Sequence, residues 1–242
     1  MVEIGTSGWV YDHWRGLFYP PNLPQKKWFA YYADHFQTVE INNTFYQLPA
    51  EDTFRSWRDQ APDGFPYAVK ANRYITHMKK LHEAEEAVNN FLSRARLLGD
   101  HLGPILWQLP PNWYADPGRL ANFAKLFPGD LDHAFEFRET DWFQEQIKVI
   151  LEENGLSFVI FSLPGLDCPH WITADPVYLC FHGAHGKYQG RYGREGLEPW
   201  GDRIGRWAEE GYAVNAYFNN DVSGYAVRDA QSLLELVDGE GS

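Results

Sequence analysis

Residues 38–43 read Thr-Val-Glu-Ile-Asn-Asn, and this run decides the fold. Side chains along a strand point alternately to its two faces. Val39 and Ile41 therefore share one face, and Glu40 and Asn42 share the other. The same register recurs along the chain. Residues 66–72 set Lys70 and Asn72 against Tyr67, Val69 and Ala71, and residues 133–138 set Glu136 and Arg138 against Phe135 and Phe137. Residues 177–182 pair Cys180 with His182 against Leu179 and Phe181. Residues 213–219 group Asn215, Tyr217 and Asn219 against Val214, Ala216 and Phe218. One face of each strand is apolar and suited to lie under helices; the other is polar and must face an interior of its own.

Runs at 2–8, 104–109 and 157–163 bring the strand candidates to eight, all short and rich in Val, Ile, Phe and Tyr. Most are separated by segments of helical spacing. Ala84, Val88, Phe91, Ala95 and Leu98 form an apolar stripe, with Gly99 as its C-terminal cap. Asp116 before Pro117 reads as an N-cap followed by a first-turn proline, and Asp141 as the cap of a helix carrying Phe143, Ile147 and Ile150. Further helices are expected over 28–36, 53–60, 197–210 and 227–236. The sixth crossover, PGLDCPHWITADP after Leu163, is broken by prolines and glycine, so a loop or single turn is expected there. Alternating strands and helices indicate an α/β protein rather than segregated α+β. Eight strands without a glycine-rich dinucleotide fingerprint after the first predict a TIM (β/α)8 barrel. The expected layout is one barrel domain over 1–237 and a short polar tail at 238–242.

The chain's 242 residues match the roughly 250 of such a barrel. Hydrophobic residues make up 44% and aromatics 17%, enough for a sizeable core without metal or disulfide support. The net charge of -12 opposes contact with phosphate backbones and anionic membranes, so nucleic acid and membrane partners are not expected. No apolar run approaches the roughly 20 residues that span a bilayer. Met1 to Thr6 enters a strand without a leader-like pattern, which predicts a cytoplasmic protein. Cys168 and Cys180 lie outside any CxxC pair and read as reduced thiols.

In a closed barrel the carboxyl ends of the strands gather at one rim, where ligands bind. Glu40, Glu136, Lys70 and Arg138 would meet there beside Asn42, Asn72, Gln108, His182 and Asn219. Two readings stay open: a self-neutralised polar core, or the lining of a site for a small polar molecule. On the second, a carboxylate is the general base, His182 the proton donor, and Lys70 and Arg138 hold negative charge. Lys70 as a Schiff-base lysine is a further alternative. Residues 182–196, HGAHGKYQGRYGREG, offer Lys187, Arg191 and Arg194 either to an anion or to solvent. Trp9, Tyr11, Trp14, Phe18 and Tyr19 fill the first loop, where packing is the expected role. No HxH, HExxH or paired-cysteine spacing occurs, so no cofactor is evident. A divalent metal would have to rest on Glu40, Glu136 and His182. Oligomeric state is not legible.

The segments GTSGWVYDHWRG, FYPPNL, VEINNTFYQLP, KANRYITH, LWQLPP, FEFRETDW, FHG and YFNND follow in this order. Together they resemble the YecE-like family, domain of unknown function 72, over nearly the whole chain. The resemblance implies a barrel of the triosephosphate-isomerase type and supplies no reaction. It carries over Gly5, Ser7, Gly8, Trp9, Glu40, Asn42, Thr44, Phe45, Tyr46, Lys70, Thr76, His77, Gln108, Pro110, Glu136, Arg138, Trp142, His182, Gly183, Asn219 and Asn220. Ser7, Trp9, Tyr46, His77 and Asn220 thereby join the candidate ligand-binding residues. Glu139, Cys180 and Asp229 depart from the family pattern, where histidine, arginine and asparagine are usual, and the change at Cys180 removes an inward cation. The expected function is acid/base catalysis on a small polar metabolite, sugar- or phosphate-bearing where anionic. The alternatives are a non-catalytic binder using the same residues, or a nucleic-acid-associated protein using Lys187, Arg191, Arg194, Arg203 and Arg206.

Overall fold

A computed structural model of the chain describes residues 1–239. All the expected strands form: β1 Val2–Thr6, β2 Val39–Ile41, β3 Tyr67–Lys70, β4 Leu102–Gln108, β5 His133–Glu136, β6 Ser157–Ser162, β7 Val177–Phe181 and β8 Val214–Phe218. They belong to one 8-stranded sheet ordered β1-β8-β7-β6-β5-β4-β3-β2. Its ladders run parallel, as between β1 and β8 and between β4 and β5, and a parallel bridge from Ser7 to Glu40 joins β1 to β2 as well. This is the strand order of a TIM (β/α)8 barrel. The helices are α1 Trp28–Ala33, α2 Asn43–Tyr46, α3 Glu51–Gln60, α4 Glu85–Ala95, α5 Pro117–Ala124, α6 Glu145–Glu153, α7 Gly193–Glu209 and α8 Tyr225–Gly239. Among the described residues no helix joins β6 to β7, as the prolines there predict.

Contacts divide the chain into two units: Met1–Glu40 with Phe161–Asp167 and Tyr178–Ser242, and Ile41–Ile160 with Cys168–Val177. In the first, β1 approaches the segment before β2 so closely that a Cβ on Gly5 would lie 2.3 Å from the Thr38 carbonyl oxygen. The inward alternation holds: Thr38 Oγ1 lies 3.0 Å from the Tyr217 hydroxyl, and the Tyr178 and Tyr217 rings are 5.2 Å apart. The first loop is packed, as expected. Trp14 and Tyr19 are buried, Tyr19 stacks on Trp28 at 4.5 Å, and the Trp14 indole donates to the Asp221 carbonyl at 3.0 Å.

In the second unit the apolar faces lie under helices. Phe135 of β5 meets Phe123 of α5 at 6.2 Å. Asp116 caps α5 as expected, its carboxylate accepting from the Arg119 amide at 2.9 Å. Asp141 does not cap α6. A 3₁₀ turn over Thr140–Trp142 and the non-helical Phe143 intervene, Gln144 takes the cap position, and the Asp141 carboxylate accepts instead from the Ala115 amide at 2.7 Å.

Other boundaries move less. α1 stops at Ala33, α4 tightens into a 3₁₀ segment Arg96–His101 that contains Gly99 at φ 58, and α7 starts at Gly193 rather than Leu197. α8 runs through Gly239, so residues 238–239 are helical, and 240–242 of the expected tail lie outside the described residues. Both cysteines are buried. No helix among the described residues is long and apolar enough to cross a membrane.

Candidate functional site

In the first unit the central group is Glu40, 1% exposed. Ser7 donates to its Oε1 at 2.8 Å and Tyr178 to its Oε2 at 2.6 Å. Burial, and then the Glu40 charge, push the Tyr178 phenol far above its ordinary pKa, so it remains a proton donor to the carboxylate. Backbone pairing fixes the geometry, because the Gly8 amide donates to the Glu40 carbonyl at 2.8 Å. His182 is also buried. Its amide donates to the Ser162 carbonyl at 2.9 Å, and its ring lies 5.8 Å from that of Tyr188.

The loop after β7 folds on itself at Gly183, where φ is 113 and a Cβ would lie 2.3 Å from the Gln189 carbonyl oxygen. The fully buried Asp229 of α8 anchors the far end of this loop. It accepts from the amides of Tyr192 at 3.0 Å and Gly193 at 3.1 Å and from Asn220 Nδ2 at 2.9 Å. Arg191 Nε lies 3.5 Å from the same carboxylate. The amino end of α7 and Arg191 just before it therefore already face an internal anion. Arg194 lies 4.0 Å from Glu198 and 3.9 Å from Glu235, and Lys187 lies over the Tyr188 ring at 5.3 Å. Asn219 is partly exposed, and its amide donates to the Phe181 carbonyl at 2.8 Å. Trp9 packs edge-on to Phe29 at 5.4 Å.

In the second unit Lys70, at the end of β3, is 6% exposed, and its Nζ lies 5.0 Å above the Phe45 ring. No ion pair involves Lys70 among the described residues. Buried Thr44 ties α2 to this strand by donating to the Lys70 carbonyl at 2.6 Å. Glu136 and Arg138 are buried and form an ion pair through Oε1 and Nε. Gln108 lies opposite Glu136 in the β4–β5 register.

His77 sits in a π-helical turn, Tyr74–Met78, a feature frequent at functional sites. Its Nδ1 is 2.9 Å from Thr76 Oγ1, and its ring is edge-on to Phe45 at 4.9 Å. Burial, followed by the charges of Lys70, Arg73 and Arg138, lowers its pKa to about 4, with Glu136 opposing. His77 is therefore neutral at pH 7 and experiences a positive field. Asn72 bonds locally at both ends, donating to the Thr44 carbonyl at 2.9 Å and accepting from the Tyr74 amide at 2.8 Å. Asn42 opens α2, its carbonyl accepting from the Phe45 amide at 3.1 Å. Tyr46 is exposed and, with Asn72, borders a cavity of about 530 Å³.

The structure thus brings Ser7 to Glu40, joins Arg191 and Asn220 through Asp229, and gathers Lys70, His77, Glu136 and Arg138 into one electrostatic environment. Of the four candidate catalytic groups, Glu40 and His182 belong to the first unit and Lys70 and Glu136 to the second. A divalent ion on Glu40 is a poor fit, because two hydroxyl groups already donate to its oxygens. Sequence reasoning missed Tyr178 and the anchoring role of Asp229. Tyr178 was legible, lying two residues before Cys180 on the same strand face.

A family model described as "Protein of unknown function DUF72" matches residues 3–242. The chain is 26% identical over 275 residues to the UPF0759 protein YunF of Bacillus subtilis, an alignment covering 100% of this chain and 96% of that protein. It is 28% identical over 168 residues to the UPF0759 protein YecE of Escherichia coli K12, covering 67% of this chain and 59% of that protein. A crystal structure of a DUF72 family protein from Thermotoga maritima superimposes with a TM-score of 0.89 at 26% identity, covering 98% of this chain and 99% of that one. One from Enterococcus faecalis gives 0.84 at 21% identity, covering 98% and 96%.

Proposed function

The chain belongs to the DUF72 family of proteins of unknown function, a membership that supplies no reaction, and from the buried charged residues of the second unit we propose an acid/base enzyme acting on a small, polar, anionic metabolite. One observation carries the reading: Lys70 is buried without an ion pair among the described residues. Removing a lone cation from water costs several kcal/mol. A bound anion repays that cost, because opposite charges 4 Å apart attract by about 4 kcal/mol at an effective dielectric constant of 20. The pKa of His77, lowered first by burial and then by the charges of Lys70, Arg73 and Arg138, is in keeping with the same positive field. In this proposal Lys70 and Arg138 hold the ligand's charge on a phosphate or carboxylate. Glu136 is the general base, its strength set by its pairing with Arg138. Neutral His77 orients a hydroxyl. Two buried thiols fit a cytoplasmic setting.

A non-catalytic binding protein is the second reading. It is favoured by Glu40, whose two oxygens already accept from Ser7 and Tyr178. Thermal-shift measurements with inorganic phosphate and a panel of sugar phosphates test the anion site. A ligand at 100 times its dissociation constant stabilises by about 2.7 kcal/mol, and the shift should vanish in Lys70→Met. Absence of any shift with every anion, or an equal shift in Lys70→Met, overturns the proposal. Turnover of the ligand so found, lost in Glu136→Gln, separates enzyme from binder.

A further inference from the structure

Beside α4 the second unit holds a cleft of about 530 Å³, within the range of small-molecule sites. We infer that this cleft binds a neutral saccharide, with ring faces resting on Tyr46 and Tyr74 and hydroxyls bonded to Gln47, Glu86 and Asn90. The two tyrosines are 71% and 47% exposed. Such exposure costs hydration free energy unless something flat and partly apolar covers the rings, and the C–H face of a sugar ring does so.

The floor is apolar, with Ile75 and Phe91 both buried, while the rim is polar. Glu86 and Asn90 are four residues apart on α4, so they project from one face of the helix. Gln47 adds a second amide from the end of α2. Amides donate and accept while a carboxylate accepts, which is the complement of vicinal hydroxyls, each able to do both.

Charge selects against anions. Glu83 and Glu86 line the cleft against a single cation, Lys79. Lys79 is committed locally, donating to the Glu83 carbonyl at 3.0 Å and lying over the Tyr74 ring at 5.6 Å. The cleft is separate from the Lys70 anion seat, since neither Lys70 nor His77, Glu136 or Arg138 lines it.

Saturation-transfer difference NMR with maltose and cellobiose at millimolar concentration tests the inference, with glucose 6-phosphate as the charged comparator. Transfer from aromatic protons to a neutral disaccharide is expected. In the Tyr46→Ala/Tyr74→Ala double variant, whose exposed sites tolerate truncation, affinity should fall about tenfold, as expected for two lost ring contacts. It should persist in Lys70→Met, so the two sites fail or survive separately. No transfer to either disaccharide, transfer undiminished in the double variant, or stronger cleft binding of the phosphate ester overturns it.

Discussion

His133 is a residue whose chemistry limits the molecule in acid. It is 2% exposed at the start of β5, with Phe127 stacked on it at 4.1 Å. Its Nδ1 accepts the Trp107 indole N–H at 3.1 Å. An acceptor Nδ1 places the single ring proton on Nε2, and a second proton would set donor against donor. Burial is the larger cause, and the pKa falls from 6.5 to about 4. A histidine depressed by folding is neutral in the native state, while the unfolded chain takes up a proton below about pH 6.5. Stability present above that pH is therefore lost as pH falls toward 4, by about 3 kcal/mol in all and about 2 kcal/mol between pH 7 and 5. His77, also lowered to about 4, titrates in the same window. Urea denaturation at pH 7 and 5 measures the effect. His133→Asn keeps an oxygen for Trp107 and removes the titration, so its stability should change with pH by about 2 kcal/mol less than wild type. Equal pH dependence in the two proteins would rule the account out.

Among the elements, α7 depends on a neighbouring helix for its start. Two of its first backbone donors, at Tyr192 and Gly193, end on separate oxygens of Asp229 in α8. Asparagine offers one acceptor oxygen where two are used, so Asp229→Asn should cost about 1–3 kcal/mol. The loss should be local: hydrogen exchange at the Tyr192 and Gly193 amides should quicken before that of β7 or β8. Unchanged protection there would show that the carboxylate does not anchor the helix. This dependence explains what the sequence did and did not reveal. Strand identity was legible because alternation is a property of neighbours in the chain, and every run from 2–8 to 213–219 became a strand. Strand ends were not, because Asn42 and Asn72 lie beyond β2 and β3 in turns that long-range pairing decides. Asp141 had the composition of a cap, but Ala115, distant in sequence, claimed its carboxylate. The polar partners of Glu136 and Glu40 were visible as residue types, whereas the pairing of Glu136 with Arg138 and of Glu40 with Tyr178 needed coordinates.

At the scale of the whole molecule the fold depends on joining the first strand to the second, and that junction has no room to spare. The Ser7–Glu40 bridge and the Gly8 amide on the Glu40 carbonyl make the join, and Glu40 Oε1 accepts from Ser7 across it. Two residues earlier, a Cβ at Gly5 would lie 2.3 Å from the Thr38 carbonyl oxygen and 3.1 Å from the Tyr32 hydroxyl. The obstacle is backbone, which cannot rotate away as a side chain can. Gly5→Ala must therefore push β1 from its neighbour and weaken the Glu40 contacts with it, a cost at or above the roughly 3 kcal/mol upper end of ordinary overpacking. For a chain of this size that corresponds to a fall in Tm of about 6–12 °C. Gly129 provides the contrast, since a Cβ there meets nothing within 4 Å, and Gly129→Ala should stay within about 0.5 kcal/mol of wild type. Thermal melts of the two variants decide the point. If Gly5→Ala melts with Gly129→Ala, β1 can yield without loss, and the close approach does not hold the barrel shut.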